Sequence, residues 1–138
     1  MSTENNKALA RRGFDALNER NWAGFYELIA PDMVLHEASK TSQGLEAYQQ
    51  FVSMYYTAFP DLHISVEAIV AEGDRIVARY TGRGTHQGEL MGIPPTGKPI
   101  SVANILIARI ANDRVVEQWL NTDVLGMLQQ LGVVPAMG

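Results

Sequence analysis

Two apolar runs in the last third of the chain, residues 100–110 and 115–121, are separated by Ala111-Asn112-Asp113-Arg114. Asn-Asp tolerates the positive φ that a two-residue hairpin turn demands. The segment therefore reads as a β-hairpin whose register can be counted outward from the turn. The count predicts that Val115 faces Ile110, Glu117 faces Ala108, Trp119 faces Leu106, Asn121 faces Asn104 and Asp123 faces Val102. Directly opposed residues share a face of the sheet. One surface would then combine apolar walls with Asn104, Asn121, Glu117 and Asp123, the usual make-up of a small-molecule site.

Upstream, the hydrophobic period is helical. Ala10, Gly13, Phe14 and Leu17 form one stripe over residues 4–19. Asn21 is placed to cap a second, short helix with Phe25, Leu28 and Ile29 inside, which Pro31-Asp32 would end. A short strand over residues 33–36 follows. Leu45, Tyr48, Val52, Tyr55 and Phe59 then mark a third helix that stops at Phe59-Pro60-Asp61. Beyond it the period changes to two. Leu62, Ile64, Val66, Ala68 and Val70 alternate with polar residues, and a three-residue loop at Glu72-Gly73-Asp74 would set Val66 opposite Tyr80 and Ala68 opposite Ala78. The strand over residues 75–86 leads into a Gly-Pro loop, residues 88–99. Residues 124–131 make a terminal helix stopped by Gly132. Helices first and an antiparallel meander second is an α+β plan, a single domain over residues 1–138. A curved sheet over three helices would enclose a pocket.

The strands ending at His86 and at Asp123 run the same way with one strand between them, so their ends are expected at one rim, about 10 Å apart. Asp123 in an apolar wall would have its pKa raised and suit proton transfer; equally, it would cap the last helix. His86, beside the glycine-rich loop, would either orient a carbonyl or hold the loop, and His36 is read the same way. Trp119 is a pocket wall. No HxH, HxxxH or HExxH spacing and no cysteine is present, so no metal site is expected. Gly82, Gly84, Gly88 and Gly92 lack phosphate-loop spacing.

A net charge of −4 argues against nucleic acid and anionic membranes as partners. The polar N-terminus shows no secretion signal, which makes the expected location cytoplasmic. Ser101, Ala103, Ile105 and Ile107, with Val116, Gln118 and Leu120, are assigned to the face opposite the pocket. That face is apolar enough to predict a homodimer through the outer sheet face.

Several motifs carry a family resemblance: Gly84-Thr85-His86-Gln87-Gly88, Met91-Gly92-Ile93-Pro94-Pro95-Thr96-Gly97-Lys98, Glu117-x-Trp119-x-x-x-Asp123 and Leu128-Gln129-Gln130-Leu131-Gly132. In these the chain resembles the SnoaL-like family of polyketide (ester) cyclases. The resemblance implies the cone-shaped α+β barrel shared with nuclear transport factor two and scytalone dehydratase, a curved, mostly antiparallel sheet wrapped around N-terminal helices. It further implies a cyclase, lyase or isomerase acting on a small apolar carbonyl compound without metal or organic cofactor. Asp123 matches the family's acid/base of an intramolecular aldol closure. His86 and His36 would polarise or orient the substrate, and Trp119, Asn104, Asn121, Leu106 and Tyr55 would contact it. Leu106 stands where a characterised cyclase has a pocket histidine. The alternative is a non-catalytic module holding a hydrophobic metabolite in the same pocket.

Overall fold

A computed structural model describes residues 2–135 of the chain. Helix α1 (Thr3–Glu19) begins where the Ser2 hydroxyl accepts the Asn5 N–H at 3.0 Å, and ends at Arg20 in the left-handed conformation with φ 59°. Asn21 caps α2 (Trp22–Glu27) by accepting the Gly24 N–H at 3.0 Å, as expected from its side chain. The chain then enters β1 (Ile29–Glu37), turns into β2 (Lys40–Gln43) and continues as α3 (Leu45–Ala58). The meander follows as β3 (His63–Glu72), β4 (Arg75–Thr85), β5 (Pro99–Ala111) and β6 (Arg114–Thr122), with α4 (Val124–Gln130) behind it. The strands form one sheet in the order β2-β1-β6-β5-β4-β3, antiparallel throughout except for the parallel pair β1/β6.

Three local expectations change. Pro31 does not end α2: Ile29 already pairs with Val115, drawn into the sheet by the Val115 N–H donating to the Leu28 carbonyl. Pro31 lies where the β1/β6 ladder is interrupted, between Ile29 and Val34, so its missing N–H breaks no bond. Strand β2 has no signature in the sequence, because Lys-Thr-Ser-Gln lacks apolar alternation; pairing with β1 creates it. In the β3/β4 hairpin, Val66 faces Tyr80 as counted, but Ala68 faces Arg79 and Ile69 faces Ala78. Glu72 pairs with Arg75 across a two-residue turn, and one extra residue, Glu67, shifts the register.

The same device reshapes the β5/β6 hairpin. Asn112 and Asp113 adopt φ 54° and 59° in the expected turn, and Ile110 faces Val115. Val116 is then an extra residue, so Arg109 faces Glu117, Leu106 faces Leu120, Ile105 faces Asn121 and Asn104 faces Thr122. Because side chains alternate faces, the slip turns Glu117, Trp119 and Asn121 outward and Gln118, Leu120 and Thr122 inward.

The inner sheet face packs on α1, α2 and α3 through Leu9, Phe14, Leu17, Phe25, Tyr48 and Val52. A second cluster, Ala58, Phe59, Leu90, Ile100, Val102, Met127 and Leu131, lies where α3, the loop before β5 and α4 meet.

The hairpin turn yields the first prediction. A non-glycine residue in the left-handed region costs about 1–2 kcal/mol, less for Asp and Asn. Asp113→Gly should stabilise the protein by roughly 0.5–1 kcal/mol, and Asp113→Val should destabilise it by about 1–2 kcal/mol. Chemical denaturation with an unchanged m-value checks both, and a destabilised Asp113→Gly would contradict the turn assignment.

Candidate functional site

A cavity of about 160 Å³ lies between the inner sheet face and the helices. Its walls come from α1 (Leu9, Phe14, Leu17), α3 (Tyr48, Phe51, Val52, Tyr55, Tyr56) and the inward residues of β4, β5 and β6, with Met127 of α4 at one end. Asn104, Gln118 and Thr122, with the phenols Tyr48, Tyr55, Tyr56 and Tyr80, are the polar residues among a wall of aliphatic and aromatic carbon. Among the described residues, no Asp, Glu, His, Lys or Arg lines it.

Burial pushes the phenols away from ionisation. Tyr56 is raised to about 12 by burial, with the Arg20 guanidinium, 4.7 Å from its ring centroid, opposing. Tyr48 and Tyr80 are raised further by the same desolvation, and the Gln118 amide beside Tyr48 works against it. Tyr55 is raised by burial and then by the Glu37 carboxylate. All four therefore stay neutral donors at physiological pH.

Asn104, Leu106 and Tyr55 line this cavity as expected. Trp119 and Asn121 do not, since the Val116 bulge puts them on the opposite face. There the Trp119 ring stacks on His36 at 5.2 Å and 14°, with the Arg75 guanidinium 5.1 Å from the indole. His36 is outside as well, being the parallel partner of Trp119 in β1. Its Nε2 lies 2.7 Å from Glu117 Oε2 and its Nδ1 lies 3.1 Å from Thr41 Oγ1. Arg109 donates to Glu117 Oε1 at 3.2 Å.

His86 lies on neither face. It is 0% exposed, against Phe59 of the second cluster. The Thr96 N–H donates to Nδ1 at 3.1 Å, so Nε2 carries the proton and finds no partner among the described residues. Its backbone pairs with Lys98 and Gly97, so His86 fastens the loop of residues 86–98. Nor do the strand ends share a rim. Thr85 pairs with Pro99 and Thr122 with Asn104, five residues further along β5, an offset of about 17 Å.

Asp123 is exposed, and its Oδ1 accepts the Gly126 N–H at 2.9 Å as the cap of α4. The dry wall expected around it is absent, because its neighbour Thr122 is the residue that turns inward. In the chain it stands between Thr122 and Met127, which line the cavity, and it is not itself among the lining residues.

Tyr48, Tyr56, Tyr80, Gln118 and Thr122 went unassigned to the site from sequence. Tyr80 carried a usable signal, since its pairing with Val66 on the apolar side was countable. Gln118 carried the opposite one, as the uninterrupted hairpin count sent it outward.

The chain matches the model of the SnoaL-like polyketide cyclase family over residues 7–131. It is 28% identical over 108 residues to the aklanonic acid methyl ester cyclase DauD of Streptomyces sp. (strain C5), a match covering 78% of this chain and 66% of that one, just under two thirds of the relative. Among solved structures it is similar to AclR, a candidate hydroxylase from Streptomyces galilaeus, with a TM-score of 0.90 and 31% identity over 99% of this chain and 87% of that one. It is also similar to IdmH, a candidate polyketide cyclase from Streptomyces antibioticus, with a TM-score of 0.78 and 33% identity over 92% and 98% of the two chains. The chain belongs to the SnoaL-like polyketide cyclase family, has its cone-shaped α+β fold, and that membership supports a cyclase-type function. Among the described residues no helix is long and apolar enough to cross a membrane.

The ion pair on the outer face gives a prediction. Glu117 is held below its ordinary value first by the hydrogen bond from His36, then by Arg109, against the opposing effect of burial. A depressed carboxylate contributes stability that is present above its unfolded value and lost as pH falls through its folded one. Wild type should therefore lose about 0.5–1 kcal/mol more than Glu117→Gln on acidification below roughly pH 4.5. Parallel denaturation curves of the two proteins at pH 7 and pH 3.5 measure the difference, and identical losses would refute it.

Proposed function

We propose that this chain, a member of the SnoaL-like polyketide cyclase family, catalyses a cofactor-independent cyclisation of an apolar, polyketide-like carbonyl compound in the cytoplasm, a lyase- or isomerase-type reaction. The observation that carries the reading is an apolar cavity whose polar groups are all uncharged, with Asp123, its carboxylate fixed as the cap of α4, next in the chain to the lining Thr122. Such a cavity favours a neutral, flat, largely apolar substrate, since burying an unpaired charge there would cost several kcal/mol.

Asp123 is the general acid/base of this reading. The cap bond to Gly126 occupies Oδ1 and fixes the carboxylate, and Oδ2 has no hydrogen-bond partner among the described residues. Its carboxylate removes the proton α to a carbonyl, and the carbanion then attacks a second carbonyl of the same molecule. His36 and His86, engaged elsewhere, take no part in the step. The second reading, a binding module without catalysis, draws on the absence of any carboxylate or imidazole from the cavity wall among the described residues.

Asn caps a helix as well as Asp does, so Asp123→Asn separates the two readings without losing α4. With aklanonic acid methyl ester, the compound named for the DauD relative, as test substrate, turnover should fall by a factor of about 10²–10⁴ while affinity survives. Asp123→Ala should in addition cost about 1 kcal/mol of stability through the lost cap. Unchanged turnover in Asp123→Asn would remove this residue from the chemistry, and binding without turnover by wild type would favour the module.

The assembly we propose is a homodimer through the outer sheet face. Gln118 and Leu120, expected there, turn inward, but Ala103 and Ile107 remain, Trp119 joins them, and Ile105 is 49% exposed. Exposed apolar surface of this kind marks interfaces more often than solvated sheet. Light scattering at micromolar concentration should give a dimer that Ile105→Glu converts to monomer; a monomeric wild type would end the idea.

A further inference from the structure

The cyclisation proposed above needs a donor at the carbonyl oxygen on which negative charge gathers. On the inner sheet face, Tyr80 of β4 is the register partner of Asn104 of β5, which in turn pairs with Thr122 of β6. Three polar side chains thus form one row across three adjacent strands, each about 5 Å from the next. The neighbouring rows are apolar: Gly82 and Val102 on one side, and Ala78, Leu106 and Leu120 on the other. The row also ends beside Asp123, the residue that follows Thr122.

Each member of the row is available in a different sense. Asn104 Nδ2 donates to the Val102 carbonyl at 3.1 Å, which leaves Oδ1 as an acceptor. The Phe14 ring, 5.1 Å away and tilted by 54°, holds the Tyr80 ring from the α1 side. The buried Tyr56 hydroxyl has no partner and is sealed off. Tyr80 differs: its hydroxyl also has no hydrogen bond to a described residue, yet it is not among the sealed atoms. Tyr80 lines the cavity, so the open space its hydroxyl meets is the cavity. Desolvation keeps the phenol protonated, so it can donate at any physiological pH.

We infer that Tyr80 is a catalytic residue, the hydrogen-bond and proton donor to the reacting carbonyl oxygen, and that Asn104 Oδ1 and Thr122 receive the adjoining enol or hydroxyl of an uncharged β-keto substrate. This rests on the cyclase reading and adds the acid to it. As the carbanion carbon bonds to the carbonyl carbon, the π pair of the C=O moves onto oxygen, and Tyr80 supplies the proton. Asp123 then holds the proton taken from the donor carbon, and its return through solvent to the phenolate resets both groups.

The test uses 9-fluorenone, an uncharged flat ketone that has no acidic proton. Its C=O stretching band, read by infrared difference spectroscopy, falls to lower wavenumber on accepting a hydrogen bond. The band of fluorenone bound to wild type should lie below that of the probe bound to Tyr80→Phe, and the variant should bind it about 2–10-fold more weakly. The variant should also keep the wild-type thermal midpoint to within a few degrees, because the hydroxyl it loses has no protein partner. Equal bands in the two proteins would overturn the inference and leave the cyclase reading standing. A Tyr80→Phe that unfolds or melts far lower would overturn it too, by exposing a structural role for the hydroxyl. Failure of wild type to bind fluorenone at all would overturn the apolar-cavity reading and this inference with it.

Discussion

Every inward-facing side chain of β6 beyond Val115 owes its place to the β-bulge at Val116. Strand side chains alternate with a period of two, so one unpaired residue exchanges the faces of everything that follows it. Past the bulge, Gln118, Leu120 and Thr122 line the cavity, while Glu117 and Trp119 stand on the outside. The Glu67 bulge does the same to β3, turning Ile69 and Ala71 rather than Ala68 and Val70 toward the core. Bulges also bend strands and increase their twist. Two of them, on strands at and near opposite sides of the meander, suit a sheet that curls around α1 and α3.

The cavity and the core are largely the same residues. Leu9, Phe14, Tyr48, Val52 and Leu106 belong to the packed cluster and also border the open volume. A dry void of that volume would cost a protein about 4 kcal/mol, by the cavity dependence seen in large-to-small core substitutions. Four buried or half-buried phenols at its wall, the Tyr56 and Tyr80 hydroxyls without a hydrogen bond to a described residue, add a further demand on the fold. A sequence free to fill the space with larger aliphatic side chains would be more stable, and this one keeps it open with hydroxyls around it. That combination of open volume and unsatisfied donors is what a binding site requires and a purely structural core avoids.

The histidines illustrate how the same side chain serves different ends in different surroundings. His36 sits in an outer-face group with Thr41, Glu117 and Trp119, where its ring is stacked and both nitrogens have partners. His86 closes the loop of residues 86–98 through Thr96 and its own backbone bonds, with Leu90 packed into the second cluster beside it. Asp61 plays a related part next to it, accepting from both the Thr85 N–H and hydroxyl, at 2.7 and 2.8 Å, and so tying the end of β4 to the turn after α3. These contacts fix the end of the barrel near α4, where Asp123 lies.

The sequence by itself determined what local chemistry can encode. The helical stripes of α1 and α3, the Asn21 and Asp123 caps, the Asn112-Asp113 turn and the stop at Gly132 each depend on residues within a few positions of one another. The α+β plan followed from their order, and Asn104, Leu106 and Tyr55, named as substrate contacts, line the cavity. Tertiary structure decided which face of β6 looks inward, that Lys40–Gln43 is a strand, that Ile29 leaves the helix for the sheet, and that the ends of β4 and β6 lie far apart. The physical reason is common to all four. Val116 is as good a strand residue as its neighbours, so nothing local marks it as the unpaired one. Its place is set by the simultaneous pairing of β6 with β5 on one side and with β1 on the other, and by the core position that Leu120 takes.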